Sequence, residues 1–430
     1  MEKLYEAFKL STGICTDTRT ILPGCMFIAL KGENFDANTM VNKALEAGAK
    51  YVVTNNSSYL SDNRCFVVEN TLHTLQQLAS YHRDQLDIPV VAITGTNGKT
   101  TTKELTAAVL AKKYHVLATQ GNLNNHIGVP LTLLSISEEK HDIAVVEMGA
   151  NHPGEIAELA AIVKPTSGLI TNVGIAHTLG FGSFEGVKTT KKALYEQLIK
   201  SNGKIFINAC NEYLVGMLGE YDNILSYGTE PNSAAIEGHL SMFSELLTFE
   251  WLAEDGITRE VSTHLTGAYN IENALAAISV GSFYDVNPAD ICEALSEYVP
   301  KNGRSQVIQT KRNRVIMDAY NANPTSMMAS VENFAGLQGD NKIVILGGMR
   351  ELGSIEAEMH RNLLSALKEY GLNEAYLVGN EFTSLKEDFP LFHYAINTDE
   401  LTEALKNLNN AYILVKGSHS NRLDKLADLL

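Results

Sequence analysis

One stretch limits the fold more than any other: residues 90–110, VVAITGTNGKTTTKELTAAVL. Five apolar residues suited to a buried strand lead into a glycine-rich turn, and the turn opens a helical sequence. A strand, such a turn and a helix in that order belong to a parallel sheet covered by helices. The turn Gly95-Thr96-Asn97-Gly98-Lys99-Thr100, with Thr101 behind it, aims backbone N–H groups at one point, where the helix dipole also favours an anion. Gly95 and Gly98 let the backbone approach phosphate oxygens with no Cβ in the way. Lys99 adds a cation, and the Thr100 hydroxyl can ligate the Mg²⁺ that accompanies a nucleotide. A βα turn with an incidental lysine is the plain alternative, and GTNGKTTT behind an apolar strand leaves it little room. The spacing is shortened, because the standard phosphate loop has a glycine five positions before Gly-Lys and this chain has Ile93 there.

The same alternation runs along the chain. Residues 1–87 give short strands at 25–30, 51–54 and 65–69, with helices near 39–48 and 71–86. Residues 88–298 give strands at 90–94, 143–148, 168–173 and 204–209, with helices at 100–112, 153–163, 184–200 and 269–283. The patch LSMFSELLTFEWL (240–252) has the texture of antiparallel strands inserted in this unit. A fresh alternation follows YVPKNGR (298–304), with strands at 314–319, 342–348, 374–379 and 411–417 and helices at 325–337, 356–370 and 398–408. The expected architecture is α/β in three domains, within what 430 residues allow. These are a small α/β domain (1–87), a central parallel-sheet P-loop ATPase-like domain (88–298) and a Rossmann-like C-terminal domain (299–430).

Composition narrows the function. A formal net charge of −16 argues against a broad nucleic-acid surface, which wants Lys and Arg in excess. It leaves room for an anionic small molecule, held by a few local cations and backbone N–H groups. No apolar run approaches the roughly 18 residues of a membrane span, and MEKLYEAFKLSTG lacks the pattern of a secretory signal. Five scattered cysteines without a CxxC pair fit reduced thiols in the cytoplasm. A regulatory GTPase needs a guanine-reading NKxD, and neither Asn42-Lys43-Ala44-Leu45 nor Asn341-Lys342-Ile343-Val344 supplies its aspartate. A motor or helicase ATPase would carry the standard loop spacing.

The shortened loop resembles that of the Mur ligase family, the ATP-dependent amino-acid ligases of peptidoglycan synthesis, and of their relative folylpolyglutamate synthase. VVEMGANHPGEI (145–156), ITNVGIAHTLGFGSFEGV (170–187), GAYNIENALAA (267–277), DAYNANPTSM (318–327) and LVKGSHSNR (414–422) follow in the family's order. The EMGAN and YNANP forms, with TDTRTILPGCMFIALKGENFDAN (16–38), resemble the member that joins D-alanyl-D-alanine to UDP-N-acetylmuramoyl-tripeptide. The resemblance implies a monomeric cytoplasmic ligase that uses ATP and Mg²⁺ to phosphorylate a carboxylate, after which an amine displaces phosphate. Its rivals are the ligase that adds the third amino acid to the UDP-linked dipeptide, folylpolyglutamate synthase, and a nucleotide-binding switch without ligase activity.

The resemblance also implies roles. Lys99 and the loop hold ATP, and Glu147 and His177 join Thr100 on Mg²⁺. In EGVKTTKKALYEQL (185–198), Lys191 matches the family lysine that reacts with CO₂ to give a carbamate, an anion able to orient a second Mg²⁺; Lys192 is the neighbouring alternative. Such chemistry needs an uncharged amine, hence a desolvated lysine. Asn270, or its i+3 neighbour Asn273, lies near adenine, and Arg304 and Asp318 contact phosphate and ribose. Asn321, Asn323 and Ser326 hold the incoming dipeptide, although Asn323 also suits a helix cap ahead of Pro324. Lys416 could meet a carboxylate. Thr16, Asp17, Arg19, Lys31, Gly32 and Asp36 fall in segments that resemble a uridine-diphosphate pocket. Two departures lie in the third domain: Gly347-Gly348-Met349 where the family has an acidic residue, and His419 inside Lys416-Gly417-Ser418-His419-Ser420.

Overall fold

The computed structural model describes every residue of the 430 except His177 and Asn302. Among the described residues the strands form three sheets. The first has four parallel strands in the order 14–15, 26–28, 51–54 and 65–67. One face shares its core with the central unit, since Met26 and, from the helix Thr71–Arg83, Leu75 and Leu78 belong to one buried cluster with Val90, Val129 and Leu133. On the other face Phe27, Val41 and Val52 form a cluster of their own.

The second sheet has nine strands. Its parallel part runs 116–118, 143–147, 90–94, 167–170, 204–208, 224–228, 236–242. Val90–Thr94 and Ile143–Glu147 are buried at every position, as expected of strands covered by helices on both faces. The segment expected as inserted antiparallel strands (240–252) is antiparallel, and it extends the edge of this sheet. Strand Ile236–Met242 pairs in parallel with Ile224–Gly228, then turns into an antiparallel meander with Leu246–Leu252 and Thr258–Thr266. The core on this side is closed by Trp251, Phe249 and the helix Asn270–Phe283.

The third sheet has six strands in the order 306–309, 314–318, 412–416, 342–347, 375–378, 393–395, parallel except for the first. Its two faces carry separate buried clusters, one around Phe334 and Leu364 and one around Ile345 and Leu405. This is the doubly wound layering that a Rossmann-like unit requires. The helix expected over 398–408 is broken into a 3₁₀ turn, Thr398–Leu401, and a short helix, Thr402–Lys406. Among the described residues no helix is long and apolar enough to cross a membrane.

Candidate active site

In the central sheet Val90–Thr94 lies between Ile143–Glu147 and Ser167–Ile170, where the strand order reverses. Ligand sites in open parallel sheets form at the carboxyl edge of such a switch point. Here the turns after all three strands meet. Thr96 N donates to Asn172 O at 2.9 Å, Asn97 N to Asn172 Oδ1 at 2.9 Å, and Thr171 Oγ1 to Asn97 O at 2.6 Å. The glycines have a reason beyond phosphate approach. A Cβ on Gly95, at φ 146°, would stand 1.9 Å from Thr171 Oγ1, and one on Gly98, at φ 78°, 2.4 Å from Asn273 Oδ1. The loop is therefore fitted to its own protein neighbours before any ligand arrives. Gly98 precedes the helix Lys99–Leu110, so the freed N–H groups of that helix face the cleft.

Lys99 Nζ donates to Gly95 O at 2.9 Å and Thr96 O at 3.0 Å. Burial lowers its ammonium below the ordinary lysine value, with Glu147 opposing the shift and Arg304 adding to it. Glu147 is 1% exposed. Its Oε1 accepts from Thr100 Oγ1 at 3.2 Å and from Asn124 Nδ2 at 2.7 Å, and its backbone N–H donates to Thr119 Oγ1. Its Oε2 is buried without a hydrogen-bond partner among the described residues. A buried carboxylate oxygen left bare is costly unless a cation or donor completes it. Beside a threonine hydroxyl it is a hard-oxygen set of the kind Mg²⁺ takes, one or two protein ligands alongside phosphates and water. Among the described residues no cluster of three or more His, Cys, Asp or Glu offers a fuller cage. His177, the other expected ligand, lies outside the described residues.

Lys188, Lys191 and Lys192 of the helix Phe184–Lys200 part company. Lys188 pairs with Glu185 and Lys192 with Glu196 on the surface, whereas Lys191 is 2% exposed. Burial first, and Lys99 second, hold the Lys191 amine well below the usual lysine value against the pull of Glu155 and Glu147. Its Nζ lies 5.9 Å from the Phe181 ring centroid.

The cleft, about 720 Å³, runs between the second and third sheets. Thr96 to Thr101 and Glu147 line one wall, with Asn270 and Asn273 beside them. Arg304, Asp318, Asn321, Ser326 and Lys416 face them. The Arg304 guanidinium stacks 3.5 Å above the Tyr320 ring centroid. Asn270 and Asn273 are both buried, joined at 2.8 Å, and Asn273 also accepts from Thr102 at 3.0 Å.

On the facing wall Lys416 lines the cleft, its Nζ donating to Asp318 Oδ2 at 2.5 Å in a buried pair, so the carboxylate it meets in this structure is that of Asp318. One expectation there needs correction. Asn323 does not line the cleft. Its Oδ1 caps the helix Pro324–Gly336 by accepting from Ser326 N, Ser326 Oγ accepts in return from Asn323 N, and Asn323 Nδ2 donates to Asn97 Oδ1 at 2.7 Å. Its amide is spent on a capping box and a bridge to the phosphate loop. Asn321 does line the cleft, its Oδ1 accepting from Ala322 N.

None of Thr16, Asp17, Arg19, Lys31, Gly32 and Asp36 lines the cleft, which the first sheet's unit reaches through Gln76. Asp17 and Arg19 form an exposed ion pair, the arginine holding the carboxyl down at about 2. Lys31 and Asp36 lie 3.8 Å apart across a one-residue bridge, and Gly32 N donates to Phe35 O.

Sequence reasoning missed Asn124, whose only signal was three asparagines in NLNNH (122–126) between a strand and a helix. It also missed a second cavity of about 400 Å³ at the carboxyl edge of the third sheet, lined by Arg350, Glu381, Asp399, Asn421 and Arg422. There Glu381 Oε2 and Asn421 Oδ1 are buried without hydrogen-bond partners among the described residues.

The sequence matches the family model of the Mur ligase middle domain over residues 93–281 and that of the Mur ligase, glutamate ligase domain over 303–419. The UDP-N-acetylmuramoyl-tripeptide–D-alanyl-D-alanine ligase of Buchnera aphidicola subsp. Baizongia pistaciae (strain Bp) is 34% identical, with 97% of this chain and 92% of that protein covered. The crystal structure of MurF from Acinetobacter baumannii superposes with a TM-score of 0.89 at 29% identity, covering 100% of this chain and 98% of the other. The MurF ligase of Thermotoga maritima in complex with ADP superposes with a TM-score of 0.86 at 26% identity, covering 98% and 97%. Shortened phosphate loop, buried glutamate and buried lysine thus occur in a chain that belongs to the Mur ligase family.

Proposed function

We propose that this chain is an ATP-dependent amide-bond ligase that joins D-alanyl-D-alanine to UDP-N-acetylmuramoyl-tripeptide, working as a monomer in the cytoplasm. We take its working units as 1–87 for the UDP-linked substrate, 88–298 for ATP and 299–430 for the incoming dipeptide. The observation that carries the reading is the buried Glu147 carboxylate, with one oxygen unpartnered among the described residues and the other held beside Thr100 and the phosphate loop. Thr100 and Glu147 would hold Mg²⁺, which when bound supplies positive charge to the phosphates.

The chain's own groups account for the rest. Lys99, resting on two loop carbonyls, is within the cleft and free to exchange them for phosphate oxygens. Two anions must meet in the first step, when a carboxylate oxygen of the tripeptide attacks the γ-phosphorus and ADP leaves. Lys99 and Arg304 supply the cations that make that encounter possible. The dipeptide amine then attacks the acyl carbon, loses a proton, and phosphate departs. A carbamate on Lys191 is favoured by the burial that keeps its amine uncharged. The zwitterionic dipeptide has Asn321 on the cleft wall and, in the second cavity, Arg422 for its carboxylate, next to an Arg350 already paired with Glu381 at 3.5 Å.

The test is substrate dependence in purified protein. ADP release is expected to require Mg²⁺, UDP-N-acetylmuramoyl-tripeptide and D-alanyl-D-alanine together. Turnover with the UDP-linked dipeptide and a diamino acid would move the chain to the neighbouring ligase, and turnover with folate and glutamate would replace the reading altogether.

A further inference from the structure

The short turn Thr178–Phe181 stands directly before the helix that carries Lys191, and it touches the third sheet's unit. Thr178 Oγ1 donates to Leu352 O at 2.9 Å and Leu179 N to Glu351 O at 3.1 Å. Burial does not explain this contact, since Leu179 remains 70% exposed. On the accepting side Glu351 holds φ 63°. A glutamate seldom adopts this left-handed backbone, and residues held there mark places where the surroundings over-determine the chain. The loop 351–352 follows Arg350 of the second cavity, so one side of the contact adjoins the place given above to the dipeptide.

The inner side of the turn is equally constrained. Phe181 is buried and its ring lies 5.9 Å from Lys191 Nζ. A Cβ on Gly180 would stand 2.1 Å from Asn151 O, so the turn packs directly on the loop after Glu147, which itself lines the cleft. Glu155 anchors that loop by accepting from Asn151 N and His152 N. Anything that moves the turn therefore moves the wall of Lys191 and the cleft lining with it.

We propose that the 178–181 turn couples docking of the third unit to the setting of Lys191, with Thr178 as a positioning residue that acts through Phe181. When Thr178 and Leu179 hold the 351–352 carbonyls, the Phe181 ring is fixed over the lysine, and when the units separate that wall loosens. The proposal rests on Lys191 being an active-site residue, as read above.

Thr178→Val removes the donor and keeps the shape, and Thr178→Ser keeps the donor. In the full-length enzyme at saturating substrates, Thr178→Val is expected to lower kcat about tenfold, the scale of a small misplacement at a reacting centre. The KM for ATP should stay within about twofold, because only docking-dependent steps are affected. Thr178→Ser is expected to restore kcat. After incubation with ¹³C-bicarbonate, the carbamate resonance of Lys191 should be weaker in Thr178→Val than in the parent. Unchanged kcat in Thr178→Val overturns the proposal, as does an equal loss in Thr178→Ser, which would make the methyl group rather than the donor responsible. A parent enzyme without a carbamate resonance, together with a fully active Lys191→Ala, would instead remove the reading of Lys191 on which the proposal stands.

Discussion

Lys99 is held by two carbonyls of its own loop and by no carboxylate among the described residues, so its removal costs the fold little. Lys99→Ala is expected to stay folded and lose transition-state stabilisation of roughly 3 kcal/mol, a rate loss of about a hundredfold or more. Near-normal ADP release by the folded variant would take Lys99 out of the mechanism. Lys191 and Lys192 are adjacent in sequence yet opposite in setting, one buried and the other 43% exposed and paired with Glu196 at 3.7 Å. Lys191→Ala should therefore be nearly inactive and partly rescued by acetate, which can occupy the place of the missing anion, while Lys192→Ala should behave like the parent. The opposite pattern would put the carbamate on Lys192.

At the scale of elements, the helix Pro324–Gly336 separates a structural asparagine from one free to touch substrate. Asn323 caps it, and loss of such a cap costs about 1 kcal/mol. Asn323→Ala is expected to lower the melting temperature, whereas Asn321→Ala should leave stability alone and raise the dipeptide KM more than that of ATP. Equal melting temperatures for the two variants would contradict this division. The same contrast shows what the sequence could carry. Strands such as 90–94, 143–147 and, from Ile343 on, 342–347 are legible because burial writes a continuous apolar run. The strand Val116–Ala118 is not, since three residues become a strand only by pairing with 143–145. Nor is the helix Gly128–Leu134, only seven residues long and with Pro130 in its first turn. The phosphate loop and Glu147 were readable as local motifs. The Asp318–Lys416 pair was not, because it joins neighbouring strands whose residues lie 98 positions apart.

For the whole molecule, the joint between the first and central units holds a buried histidine beside the contacts of Arg83 with Val163 O and of Asp84 with Lys164. His82 is buried, its Nδ1 3.0 Å from Tyr5 Oη and its Nε2 3.0 Å from Ile136 O. With Ile136 O able only to accept, Nε2 carries a proton, and in the neutral ring that burial favours Nδ1 accepts from the tyrosine. Burial pushes its pKa below the ordinary 6.5, against the weaker upward pull of the bond to Ile136. The sign follows: in the unfolded chain the imidazole protonates below about 6.5, whereas the folded protein resists that proton, so the unfolded state binds more protons as pH falls. The contribution is fully present above 6.5 and is lost as pH falls through the lower folded value. Chemical denaturation at pH 7.5 and pH 5.0 should show the parent losing stability on acidification. His82→Gln, which can donate and accept but does not titrate, should lose less over the same interval. Tyr5→Phe should cost about 1 kcal/mol at pH 7.5 by stripping Nδ1 of its donor. An identical pH dependence in parent and His82→Gln would mean that the acid sensitivity arises elsewhere and that this joint holds irrespective of the charge on His82.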